Sequence, residues 1–343
     1  MNLLVIKLRY LGDVLLATPT LQALKTAFPA ARLTVVVNRG TEAILDGNPH
    51  VDEILPLDKG SIATQWRFLA SLRGRRFDTV IDLTDADRSA FLTWMSGAPV
   101  RIGFNDERRI RGRGYTTVVR SEPAVHRIER DLTVLQQFGI VATDRTPRLW
   151  LTAADEQRAD QLLNRLGIES QRPIVVFQPG ARYWFKAWPA ERFAELADRL
   201  SAELGSQTLI GGSLQEDGLA LRIRRVAKSR PISIAGLADV RTFAALLKRA
   251  SLFVGNDTGA MHIAAAVGTP LVALFGPSNP GEWGPRGGAA EIVYKGLDCR
   301  ACFHPTCDRG EQNCMKLISV DEVFDCALRL CKGSLPGKVS VQG

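Results

Sequence analysis

The sequence predicts an α/β protein built from two doubly wound, Rossmann-like domains, and three observations carry that expectation. Short apolar runs recur along the chain with helical patterns between them, as in parallel sheets buried under helices. The 343 residues exceed what one ordinary core organises. The alternation lapses once, over residues 141–147, and then resumes. The boundary is therefore placed at residue 150, giving domains over 1–150 and 151–332 and a tail over 333–343 whose Gly, Ser and Pro predict disorder. Two such domains are expected to face a central cleft at the carboxyl ends of their strands, where doubly wound sheets bind ligands.

Taken in order, the first strand is residues 3–7, followed by a turn through Gly12 and a helix beginning near Asp13. A carboxylate at that tip either caps the helix or acts as a general base, with Lys7 and Arg9 keeping it ionised. Strands at 33–37 and 79–83 follow, the second leading into Asp85 and Arg88. Arg101, Arg108, Arg109, Arg111 and Arg113 are interleaved with glycines and read as a mobile loop. The second domain opens with a helix near Ala154 and a strand at 174–178. A glycine turn carrying Arg182, Lys186 and several aromatics leads to a helix near Ala190; there Lys186 is either a surface lysine or a cation for a diphosphate. After a strand at 208–211, Glu216 either begins a helix or reaches a ribose hydroxyl, and further strands are read at 232–235, 252–255 and 271–275.

The most informative stretch joins the 252–255 strand to a small-residue helix over 259–267. The free N–H groups and dipole of a helix start favour an anion. Asp257 or Thr258 as a mere cap explains neither Gly259 nor His262, which lies within the first turn.

Hydrophobic residues at 45% and charged residues at 23% are the mix of a soluble globular protein. The opening residues form a strand rather than a secretion signal, and no apolar run reaches membrane length, so a cytoplasmic protein is expected. A net charge of +8 points to acidic partners such as a nucleotide, a phosphorylated substrate or an anionic membrane surface. Without an aromatic RNA-binding signature, nucleic acid is not expected. The dinucleotide-binding Gly-X-Gly-X-X-Gly, the hydrolase Gly-X-Ser-X-Gly and the zinc motif His-Glu-X-X-His are all missing from the sequence.

Four cysteines, Cys299, Cys302, Cys307 and Cys314, fall within sixteen residues. In a cytoplasmic protein they suggest a metal before a disulfide, yet the spacing is not the paired Cys-X-X-Cys of a zinc ribbon. Reduced thiols are therefore favoured over a structural zinc. Cys326 and Cys331 are placed on the last helix, packing in the core.

These residues resemble the lipopolysaccharide heptosyltransferases of glycosyltransferase family nine. The resemblance covers nearly the whole chain and rests on Lys7-Leu8-Arg9-Tyr10-Leu11-Gly12-Asp13 with Pro19, on Lys186-Ala187-Trp188-Pro189, and on Asp257-Thr258-Gly259 followed by His262. Arg9-Tyr10 looks most like the heptosyltransferase III branch, whereas the cysteine cluster is similar to that of heptosyltransferase II relatives. The resemblance implies a GT-B fold, ADP-L-glycero-D-manno-heptose as donor, inversion at the anomeric carbon, and no required cofactor or metal. It assigns the base to Asp13, the diphosphate lysine to Lys186, the helix-start phosphate site to Asp257, Thr258, Gly259 and His262, and a nucleotide contact to Glu216. Arg9, Asp85 and Arg88 are expected toward the acceptor. The partner implied is a lipid A-core lipopolysaccharide precursor at the cytoplasmic face of the inner membrane, with peripheral membrane contact only. Asp85-Ala86-Asp87 imitates the metal-binding Asp-X-Asp of a different transferase fold and is read as coincidence. Two alternatives stand beside this reading: a same-fold transferase using another nucleotide sugar, and a non-catalytic protein binding a nucleotide sugar or lipopolysaccharide precursor. Asp13 and Lys186 together argue against the second.

Overall fold

A computed structural model of the chain describes residues 1–58, 60–297, 299 and 307–332. It divides into two compact units, Met1–Trp150 and Leu151–Gly343. The expected tail over 333–343 and Cys302 lie outside the described residues.

The first unit holds β1 (Asn2–Lys7), β2 (Arg32–Asn38), β3 (Glu53–Leu57), β4 (Thr79–Asp82), β5 (Val100–Phe104) and β6 (Thr117–Val119), in the spatial order β3-β2-β1-β4-β5-β6. The second holds β7 (Ile174–Gln178), β8 (Gln207–Ile210), β9 (Ile232–Ser233), β10 (Leu252–Asn256), β11 (Leu271–Phe275) and β12 (Ala290–Tyr294), in the order β12-β11-β10-β7-β8-β9. Every pairing is parallel. In each sheet the order reverses between its first and fourth strands, β1 beside β4 and β7 beside β10. Such a reversal opens a crevice beyond the carboxyl ends of those strands.

Central strands form where the sequence is apolar on both faces. β7 (IVVFQ) and β11 (LVALF) are buried along their whole length, as strands covered on two sides must be. Helices cover them by amphipathic faces. Ala190–Leu204 buries Phe193, Ala194, Leu196, Ala197 and Leu200 and ends at Gly205, which adopts the left-handed φ of +62° that closes a helix. Phe193 meets Phe177 at 5.4 Å and Trp188 at 4.9 Å between ring centres. The first unit packs Leu4, Ile6, Val36, Leu72, Phe77 and Val80 into a separate core.

Several local expectations are corrected. Gly12 lies inside the helix Leu11–Leu16, so the turn is made earlier, at residues 8–10. The arginine-rich stretch is not a free loop. Arg101 belongs to β5, while Arg111 and Arg113 sit in a 3₁₀ turn, Ile110–Gly114, packed on the helix Asp87–Met95. That turn can approach because Gly114 has no side chain; a Cβ there would meet the Ala90 carbonyl at 3.2 Å. Four strands, β3, β5, β6 and β12, had no counterpart in the sequence reading. Cys326 is buried and Cys331 half-buried on the helix Val320–Cys331, and burial pushes the Cys326 thiol up to about 11. Among the described residues, Cys299 is exposed, Cys307 half-buried and Cys314 buried. No helix among them is long and apolar enough to cross a membrane.

Candidate functional site

In the first unit, chemistry gathers where β1 and β4 end side by side. The Leu8 N–H donates to Thr84 Oγ1 at 2.8 Å, and the Arg9 guanidinium donates to the Thr84 carbonyl at 2.9 and 3.2 Å. Thr84 N–H in turn donates to Asp82 Oδ1 at 2.8 Å, and the Tyr115 hydroxyl donates to Asp82 Oδ2 at 2.7 Å. These bonds fix the chain from which the helix Leu11–Leu16 starts. Asp13 is half-buried in its first turn, and its Oδ2 accepts from the Tyr10 N–H at 3.4 Å. That bond is long, and Oδ1 accepts no hydrogen bond among the described residues.

Lys7 does not serve Asp13 as expected. It is buried, and its ammonium donates to Asp131 Oδ2 at 2.5 Å and to the Leu83 carbonyl at 3.2 Å. Burial pushes the Asp131 carboxyl up, against the pull of Lys7 and Arg130, and the charge of nearby Asp13 pushes the same way. The ion pair thus sits beneath the strand tip and holds it. No sequence signal joins Lys7 to a residue 124 positions away.

Asp85 occupies the left-handed region at φ +57°, which aspartate tolerates better than most residues. Its two oxygens are held by Arg111 and Arg130, each at 2.8 Å, and Arg130 also pairs with Asp106 at 3.0 Å. The Asp85-Ala86-Asp87 run is therefore neutralised by arginine. Arg88, expected toward the acceptor, donates to the Asp58 carbonyl at 3.0 Å.

In the second unit the corresponding crevice lies between β7 and β10. Asn256, fully buried at the end of β10, donates to the Pro179 carbonyl at 2.8 Å and accepts from the Trp188 N–H at 3.1 Å. It thereby ties both ends of the 179–188 loop to the sheet, a role the sequence reading missed. Within that loop Tyr183 stacks on Phe185 at 5.1 Å, and the Trp188 indole donates to the Ile318 carbonyl at 3.0 Å. So anchored, the loop carries Lys186 to Asp257 Oδ2 at 2.6 Å.

Asp257 is then the counter-ion of Lys186 rather than a helix cap. Thr258 occupies the cap position of the helix Gly259–Ala266 yet its side chain caps nothing, and its buried hydroxyl has no hydrogen-bond partner among the described residues. A buried hydroxyl left without a hydrogen bond costs about 1–3 kcal/mol. Gly259 opens the helix and His262 is buried one turn in. Glu216 joins the same crevice: a Cβ on Gly180 would lie 1.6 Å from its Oε1. Its Oε2 accepts from Ser213 N–H at 2.7 Å and Ser213 Oγ at 2.9 Å, so helix capping uses one oxygen and leaves the other. The structure thus brings Lys186, Asp257, Thr258 and Gly259 together and places Glu216 on the neighbouring loop. Among the described residues no group of three or more His, Cys, Asp or Glu is arranged to hold a metal.

Comparison with known proteins gives consistent findings. The sequence profile of glycosyltransferase family 9 (heptosyltransferase) matches residues 65–312. Lipopolysaccharide heptosyltransferase 3 of Escherichia coli K12 is 32% identical over 81% of this chain and 83% of its own. A glycosyl transferase family 9 structure from Veillonella parvula superposes with a TM-score of 0.88 at 27% identity, covering 97% of both chains. The structure of E. coli ADP-heptose lps heptosyltransferase II superposes with a TM-score of 0.81 at 24% identity, covering 97% of this chain and 99% of that one, which speaks to the fold. The fold is GT-B.

Proposed function

The chain belongs to glycosyltransferase family 9, and from that premise we propose that it transfers heptose from ADP-L-glycero-D-manno-heptose to the inner core of a lipopolysaccharide precursor, with inversion and without a metal. It is a glycosyltransferase whose relatives are heptosyltransferases. The donor proposed is the one that the E. coli relative, ADP-heptose lps heptosyltransferase II, carries in its name. The acceptor is a lipid-carried core, met at the cytoplasmic face of the inner membrane.

The observation that carries the reading is the Lys186–Asp257 pair at 2.6 Å set beside the start of the helix Gly259–Ala266, where the Thr258 side chain makes no capping bond. Helix-start N–H groups, a hydroxyl and an ammonium form a donor set suited to a diphosphate. Glu216 Oε1 is the acceptor left over for a ribose hydroxyl.

In the reaction, Asp13 takes the proton of the acceptor hydroxyl as that oxygen bonds to the anomeric carbon. The bond from that carbon to the diphosphate oxygen breaks on the opposite face, and ADP departs with the electron pair. Lys186 and the donors at Thr258 and Gly259 neutralise the charge gathering on the leaving diphosphate. General-base help is worth about 10²–10⁴ in rate. Asp13→Ala should therefore fold, bind ADP with unchanged affinity, and lose about that factor in heptose transfer to truncated cores, read by mass spectrometry. Transfer at the wild-type rate would remove Asp13 from the mechanism, and ADP-heptose binding without acceptor-dependent ADP release would favour a binding protein.

A further inference from the structure

We propose that the outer face of the helix Asp87–Met95, together with the turn Ile110–Gly114, is a docking surface for an anionic phospholipid bilayer. The two elements border an open groove of about 740 Å³ lined by Phe91, Trp94 and Ile110. These three are large apolar side chains turned to solvent, 46%, 56% and 81% exposed. Leu92 and Thr93, between Phe91 and Trp94, are buried, so the helix packs one face on the unit and keeps a second, apolar face exposed. Phe91 and Trp94 stand one turn apart with ring centres 6.2 Å apart, forming one patch.

The rim supplies the charge complement. Between residues 100 and 120 the chain carries six arginines against Asp106 and Glu107. Arg101 and Arg111 are consumed internally, Arg101 on the Gly114 and Ala98 carbonyls and Arg111 on Asp85. Arg108 and Arg113 are exposed and form no ion pair among the described residues, while Arg109 pairs with Glu107 at 2.5 Å. The carboxylate on the groove itself, Asp87, is countered by Arg111 at 3.3 Å. Trp and Phe beside unpaired arginines suit the boundary between headgroups and acyl chains, where rings sit among the glycerols and guanidinium groups meet lipid phosphates. A stable protein partner would need about 1,200 Å² or more of buried surface, and three side chains on one helix and one turn offer less.

The proposal goes beyond the transfer reaction and does not depend on it, since vesicle binding needs neither donor nor acceptor. The full chain is sedimented with vesicles of phosphatidylcholine alone and with added phosphatidylglycerol. The expected result is binding to the anionic vesicles that weakens with salt. It should fall by about tenfold or more in Phe91→Ser/Trp94→Ser/Ile110→Ser and by about fivefold per arginine in Arg108→Glu/Arg113→Glu. Both variants should keep the wild-type Tm and the wild-type rate on a delipidated, water-soluble core. Brominated acyl chains should quench wild-type fluorescence more than that of Trp94→Phe. Wild-type protein that ignores phosphatidylglycerol, or a triple variant that sediments like wild type, overturns the proposal. So does a triple variant that only converts a dimer to a monomer, which would make this face an interface between copies. Loss of transfer with vesicle binding intact would count against the proposed function alone.

Discussion

Lys186, proposed to meet the donor diphosphate, is held in place by an ion pair. Its ammonium lies 2.6 Å from Asp257, whose side chain is only 7% exposed, so the pair is partly withdrawn from water. Removing the lysine strands a carboxylate and, in the proposed donor site, also takes away a cation for the diphosphate. Lys186→Ala should weaken ADP binding and slow transfer by about 10²-fold or more, the usual cost of losing one preorganised donor. Calorimetric titration with ADP checks it, and unchanged affinity would sink the assignment. With Asp257→Asn added, the total loss should be smaller than the sum of the two single losses, with a coupling of about 0.5–3 kcal/mol. At the scale of single residues the sequence located Lys186 on a loop and Thr258 and Gly259 at a helix start, because a glycine turn and a helix start are local patterns. It was silent on Asp131, Asn256 and the second role of Asp257, whose meaning depends on partners far along the chain.

Among the elements, the sequence was most readable where burial is complete. β7 and β11 coincide with their apolar runs to the residue, because a strand covered on both faces has no polar alternation to blur it. Three of the four unread strands, β3, β6 and β12, are sheet edges, and they carry a proline in EILPL, only three residues in TVV, or a charge in AEIVY. The fourth, β5, hides behind Arg101 and Gly103 in VRIGF. Gly103 is there for a reason: a Cβ would fall 2.4 Å from the Tyr115 ring. Gly103→Ala should tip that ring, break its hydroxyl bond to the fully buried Asp82, and cost about 1–3 kcal/mol, measured by urea unfolding. Burial already pushes the Asp82 carboxyl up, and the Tyr115 and Thr84 bonds oppose that. The folded protein therefore holds a proton on Asp82 at pH values where the unfolded chain has released it. This residue's contribution to stability declines as pH rises from the ordinary carboxylate range toward the raised folded value.

The molecule as a whole consists of two units with separate sheets and cores, and its acid limb should report the second of them. In that unit the helices Ala153–Arg165 and Val240–Arg249 are joined at Asp155, which is 2% exposed. Arg241 donates to it at 2.5 and 3.1 Å, and the Thr152 N–H at 2.8 Å. Burial alone would raise this carboxyl, but the Arg241 and Thr152 bonds outweigh it and hold it well below the usual carboxylate range. A depressed folded value means that the unfolded chain takes up the proton first as pH falls. The stabilisation is thus complete above the ordinary carboxylate range and drains away below it, toward the folded value. Asp155→Asn should lose about 3–5 kcal/mol at neutral pH, since it leaves Arg241 buried without its counter-charge. It should also flatten the dependence of stability on pH in the acid range. Hydrogen exchange along a urea series separates the units: the loss should fall on β7 to β12, and equal loss of protection in β1 to β6 would show that the two cores unfold as one. ADP provides the converse test. At about 100 times its Kd it should add about 2.7 kcal/mol, and if the diphosphate site lies between β7 and β10 that protection should appear first in the strands that Asp155→Asn weakens.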